Sequence, residues 1–158
     1  MLSFIGRIDN VSSLFYFMKG ETIMSRNLIY MTTTTNASVL ANGVVPLTTI
    51  QRRDGCALQD GTNSIIFRAP GYYKVNGSIT FTAPEAGDVT IVAQKNNTNI
   101  PGITASTTIT TADTEVRTIN INGIVRVFCS EKGSSLTLVN SGVAITVQNV
   151  SLDVEYLG

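Results

Sequence analysis

Histidine is absent from the 158 residues. Without it there is no Ser-His or Cys-His arrangement in which a base titrating near neutrality activates a nucleophile, and most hydrolases are excluded. Cysteine is nearly absent too. Cys56 and Cys129 are the only two and have no CxxC spacing, so neither a disulfide scaffold nor a zinc site of His and paired Cys can be built, and both thiols are expected to be reduced. Charge is scarce at 14% and evenly divided, 11 Lys plus Arg against 11 Asp plus Glu. With no basic block, the footprint of a phosphate-neutralising surface is missing, and nucleic-acid binding is not expected. Arg52-Arg53 is the one basic doublet and reads as a solvated strand end beside Asp54.

Phosphate cradles are missing as well, because no G-x-G-x-x-G or G-x-x-x-x-G-K precedes a helical stretch. The carboxylates Asp54, Asp60, Asp88 and Asp113 lack the D-x-D-x-D-G density of a calcium loop. Asp153 and Glu155 alternate on one strand face, a pairing that serves glycoside hydrolysis elsewhere and here reads as solvated. No cofactor, no metal and no enzymatic activity are expected. Nor does any apolar run reach the length of a bilayer span.

The first 23 residues differ in texture from the rest. Arg7 and Asp9 interrupt their apolar character, the longest apolar run (Leu14 to Met18) is too short for a signal-peptide core, and no small-x-small cleavage site follows. Lys19-Gly20-Glu21 must be encoded AAR-GGN-GAR, which can hold a purine-rich ribosome-binding sequence, and Met24 comes two codons later. The expectation is that the native chain begins at Met24; the alternative is a short N-terminal segment that docks on a partner. Residues 24–38, with the Thr32-Thr33-Thr34-Thr35 run, read as an extended linker or docking arm.

From residue 39 to 158 apolar residues recur with period two between Gly, Pro, Asn and Asp, the signature of half-buried strands. Val44 to Ile50 reads as one strand near an edge because Pro46 cannot donate to a central ladder. Ser64 to Arg68 and a strand carrying Tyr73, Val75, Ile79 and Phe81 inward read as a hairpin turned at Ala69-Pro70-Gly71. Asp88 to Gln94 is a further strand, with a polar turn at 95–99. Asn122-Gly123 is either a tight hairpin or a bulge in one long strand. Ser135 to Asn140 and two closing strands, AITVQ and SLDVEYL, complete the pattern. Short strands every 8–12 residues point to a sandwich or jelly roll, and no period of 20–50 residues repeats.

At Phe67-Arg68-Ala69-Pro70-Gly71-Tyr72-Tyr73-Lys74-Val75 the chain resembles the tumour-necrosis-factor-like superfamily, which includes the globular heads of complement proteins and carries a similar phrase, F-x-x-P-G-x-Y-x-F. Val75 stands where that phrase has an aromatic. Val92 to Gly102 is similar to the x-NG-x-x-IPG turn of bacterial spore-surface collagen-like glycoproteins, and Leu136 to Gly142 with Leu152-Asp153-Val154 is similar to their closing strands. The resemblance spans residues 39–158 and implies an all-β, ten-stranded jelly roll that assembles as a homotrimer. Those spore proteins carry Gly-X-Y stalks and this sequence has none, so a bare head resembles instead the small trimeric proteins that decorate phage capsids or tip virion fibres.

The residues expected in the core are Phe67, Tyr73, Val75, Ile79, Phe81, Leu136, Leu138 and Val154. Tyr72, Tyr156 and Leu157 are the candidates for a threefold contact, where rigid rings bury well. The function expected is structural surface display without catalysis, on a virion as capsid decoration or fibre head. The alternatives are a glycan- or receptor-binding trimer using the polar turns around Asn96 to Asn99 and the Thr-rich segment 106–114, or a bacterial cell-coat or spore-coat component. The expected partners are further copies of itself, a capsid or other surface lattice, and a glycan.

Overall fold

The β-branched and aromatic residues that alternate along this chain form twelve strands in a computed structural model, which describes residues 26–158. The expected start at Met24 and the readings of residues 1–23 lie outside the described residues. The strands are β1 (Leu28–Thr33), β2 (Ala37–Val39), β3 (Gly43–Val44), β4 (Thr49–Asp54), β5 (Leu58–Gly61), β6 (Ser64–Phe67), β7 (Gly71–Thr82), β8 (Gly87–Lys95), β9 (Thr98–Ile109), β10 (Arg117–Val127), β11 (Ser135–Asn140) and β12 (Ile145–Tyr156). One 3-10 turn, Cys129–Glu131, follows β10.

The strands divide into two antiparallel sheets. Sheet one runs β9-β8-β11-β6-β5, with β3 added to β11, and sheet two runs β10-β7-β12-β1-β4, with β2 added to β12. The two inner faces meet in a single apolar layer, as expected of a jelly-roll sandwich. Phe67, Tyr73, Val75, Ile79, Phe81, Leu136, Leu138 and Val154 are all fully buried in it. The Phe67 and Tyr73 rings lie 4.6 Å apart and tilted, a favourable aromatic geometry. Burial of each such large side chain contributes about 1.5–3 kcal/mol.

Several local expectations are corrected by the pairing. Of the expected linker 24–38, the described residues are not a tether, because β2 pairs with β12 and β1 lies between β12 and β4 in sheet two. Its Thr33 is buried and its hydroxyl donates to Pro46 O at 2.8 Å, so two residues of the threonine run are sheet rather than tether. The stretch 44–50 is not one strand. Val44 pairs with Val139 in sheet one and Thr49 with Thr32 in sheet two. Pro46, which has no N–H to keep a ladder going, lies between them where the chain changes sheets.

The segment 64–82 is likewise no hairpin. Phe67 ends β6 in sheet one while Gly71 opens β7 in sheet two, so Ala69-Pro70-Gly71 carries the chain across the sandwich. Gly71 has φ 141°, and a Cβ there would come 2.5 Å from the Tyr156 ring. Asn122-Gly123 is neither hairpin nor bulge: β10 pairs with β7 without a register break from Arg117 to Val127. The two closing strands are one, β12, with a single irregularity between Val147 and Asn149 where it passes β7. The 95–99 turn tightens to two residues, Asn96 and Asn97, with φ 52° and 66°, the primed geometry that suits strand twist.

Candidate functional site

Strand alternation decides which residues of sheet two face away from the core. On β7 the odd positions Tyr73, Val75, Ile79 and Phe81 point inward, so Tyr72, Lys74, Asn76, Ser78 and Thr80 form the outward row. Register sets Ser78 beside Ser151 and Asn120, and Thr80 beside Asn149 and Thr118. One half of this face is therefore hydroxyls and amides: Thr80 and Thr118 share a hydrogen bond of 2.9 Å between their hydroxyls, and Gln51 Nε2 donates to Thr32 Oγ1 at 2.9 Å. A shallow depression of about 410 Å³ lies here, lined by Tyr30, Thr32, Gln51, Ser78, Thr80 and Ser151 among others.

The other half of the face carries balanced charge. Lys74 pairs in register with Glu155, and Asp153 with Asn76 and Tyr30. Burial raises the Asp153 carboxyl above its ordinary value, and Glu155 adds to the shift while Lys74 opposes it. The carboxylate pair expected to be solvated is thus partly withdrawn from water at Asp153. At the far end of the face Tyr72 is 45% exposed. The Arg126 guanidinium lies 5.4 Å from the Tyr72 ring centroid and 4.3 Å from that of Phe128.

The three residues expected at a threefold contact are placed differently. Tyr72 and Leu157 come together, joined by Leu157 N donating to Tyr72 O at 2.8 Å, and both are exposed. Tyr156 turns the other way. Its ring lies 5.1 Å from that of Tyr73, it packs on the core, and its hydroxyl donates to Pro70 O at 3.2 Å. Parity explains this and was readable: Val150, Leu152 and Val154 are buried on β12, so Tyr156 inherits their direction. Tyr30 and Ile124, exposed on the outward face, carried no signal in the sequence beyond their own alternation.

A second concavity lies at the side of the sandwich, where the β8–β9 hairpin approaches the end of β10. It measures about 620 Å³ and includes Asn96, Thr98 and Asn99 from the polar turn together with Ile124 and Arg126. The Thr-rich stretch 106–109 belongs to β9, an edge strand of sheet one, and takes no part in it.

Among the described residues no three of His, Cys, Asp and Glu approach one another closely enough to hold a metal ion, and Cys56 and Cys129 are free and exposed. Arg52 pairs with Asp54 at 2.8 Å, while Arg53 Nε donates to Leu58 O at 3.2 Å. Among the described residues no helix is long and apolar enough to cross a membrane.

No family model and no curated protein sequence matches the chain. Solved structures do match its fold. Eiger TNF from S. frugiperda aligns at TM-score 0.60 with 11% identity, covering 85% of this chain and 94% of that one. Murine APRIL aligns at 0.61 with 9% identity over 84% and 99%, and the globular domain of zebrafish complement 1qA protein at 0.59 with 8% identity over 83% and 96%. With the two-sheet topology described above, these likenesses establish the chain as a jelly roll of the tumour-necrosis-factor and complement-head type.

Proposed function

We propose that the chain is a non-catalytic association module whose copies join as a homotrimer through the outward face of sheet two. In this reading it is displayed on a larger lattice, a virion surface in the first place and a bacterial cell or spore coat in the second. The observation that carries the proposal is the make-up of that face. Tyr30, Tyr72, Ile124 and Leu157 stand exposed among hydroxyls and amides, and the charged residues between them, Lys74 and Arg126 against Asp153 and Glu155, cancel. A surface of this kind loses little solvation when covered and does not repel its own copies. A contact between unlike patches closes into a ring when its rotation permits, and the fold likeness favours three copies.

Sedimentation velocity at micromolar concentration tests this. The expected result is a particle of three chain masses. The double variant Tyr30→Lys with Tyr72→Lys should sediment as one chain with an unchanged far-ultraviolet spectrum. A wild-type chain that stays single at that concentration overturns the trimer. Genes for capsid and portal proteins beside this one would support the virion setting, whereas coat or glycosyltransferase genes would favour the cell surface.

A further inference from the structure

The carboxyl of Asp153 stands in the middle of the face that the association reading covers. β12 is the central strand of sheet two, with β7 and β10 on one side and β1 and β4 on the other. On it, Asp153 points outward between Asn76 of β7 and Tyr30 of β1, and the strands beyond place Asn122 of β10 and Arg52 of β4 in the same line. The position is half-buried in the single chain. A second copy laid over this face removes the water that the carboxyl still has.

The charges around it are engaged elsewhere. Arg52 of β4 pairs with Asp54 at 2.8 Å, and Glu155, the next outward residue of β12, takes Arg26 at 3.6 Å. Arg126, near the end of β10, lies over the Tyr72 and Phe128 rings. Lys74 of β7 stands opposite Glu155, on the diagonal from Asp153. Tyr30 brings a phenol and no cation. Among the described residues Asp153 has neither an ion pair nor a hydrogen bond from another side chain; its own N–H and the field of Lys74 are what favour the charged form. Burial outweighs them and raises the carboxyl above its ordinary value, with Glu155 adding to the shift. A carboxylate with no cation in contact is costly to cover, and the neutral acid far less so.

We infer that assembly through this face is linked to a proton: Asp153 of each copy enters the contact as the neutral acid, so acid tightens the assembly and rising pH opens it. This linkage rests on the association reading of the same face. Because the carboxyl holds its proton more firmly in the assembly than in the single chain, the stabilisation is complete below the single-chain value and is lost as pH rises through the assembled one. Three copies take up at most three protons, so the trimer constant falls by up to about a thousandfold per pH unit inside that window.

Sedimentation equilibrium of the full-length protein at pH about 5 and about 8 tests this. The wild type should trimerise at least about tenfold more strongly at the lower pH. Asp153→Asn, checked for folding by far-ultraviolet circular dichroism, should lose the dependence and hold the trimer at the higher pH. Glu155→Gln should keep the dependence, because that carboxylate has Arg26 beside it. Dilution calorimetry of the wild type in two buffers of unlike ionisation enthalpy counts the protons released as copies separate, and it needs no variant. A trimer of equal strength at both pH values overturns the inference and leaves association standing. So does a dependence that survives in Asp153→Asn, or dilution without proton release across that range. A trimer that strengthens as pH rises overturns it too, since the carboxylate would then be meeting a cation of the next copy. A wild type that stays single at every pH overturns the association reading and this inference with it.

Discussion

At the scale of single residues, a phenol buried in the core sets a pH limit on the fold. Tyr73 is fully buried and its hydroxyl donates to Ala69 O, with Ala57 O a second acceptor at 3.4 Å. Burial pushes its pKa from 10.0 to about 12, with the neighbouring Tyr156 adding to the shift. Because the folded value lies above the unfolded one, the folded chain keeps a proton that the unfolded chain has lost between those two values. Stability is therefore unaffected below pH about 10 and declines as pH rises from there towards about 12. Urea midpoints measured across that window should fall for the wild type and fall less for Tyr73→Phe. At pH 7 the same variant should lose about 1 kcal/mol for its missing hydrogen bonds. Tyr73 was readable as a core residue because its parity and its Pro-Gly approach are local features. Its hydroxyl's acceptors were not, since one of them is sixteen residues away.

Elements show where local pattern runs out. The Asn122-Gly123 dipeptide has the composition of a hairpin turn, yet β10 runs straight through it. The reason lies on the other sheet: a Cβ at position 123 would stand 2.5 Å from Ile103 Cγ1, so glycine is needed there for interlayer packing. Gly123→Ala should destabilise the fold by about 1–3 kcal/mol, as overpacking does. Combined with Ile103→Val, the loss measured in urea should be smaller than the sum of the two single losses, and strict additivity would show that the two sites do not touch. Pro46 was read as lying inside one edge strand and Pro70 as part of a hairpin turn, whereas each marks a break in a ladder. That each break moves the chain from one sheet to the other depends on where both flanking strands find partners. The Tyr156 placement belongs here as well, because Leu152, Val154 and Tyr156 share one parity in β12, which the closing segment Ser151 to Leu157 already carried.

For the whole molecule, the decisive feature is that sheet two closes around its last strand. β12 lies between β7 and β1 and also holds β2, so the first and last of the described strands pair across more than a hundred residues of chain. Pairings of such sequence separation form slowly, and refolding in the range of about milliseconds to seconds is expected. Removing residues 145–158 should leave a chain with no cooperative urea transition by circular dichroism, because β1 and β7 would both lose their shared neighbour. A truncated chain that still melts cooperatively would show that sheet one folds alone.

The alternation of apolar and polar residues was enough to read an all-β sandwich or jelly roll and eight inward-facing positions, because side-chain direction along a strand repeats every two residues and needs no knowledge of partners; the tumour-necrosis-factor-like type came from the resemblance at Phe67 to Val75. Tertiary structure alone decided which sheet each strand joins and that β1 is a sheet strand rather than a tether. It alone brought Arg126 between Phe128 and Tyr72 and opened a cleft between the β8–β9 turn and β10. Apart from the Arg126–Phe128 contact, those arrangements join residues tens of positions apart, and their pairing is selected by how two layers fit against each other, a constraint that no local window of sequence contains.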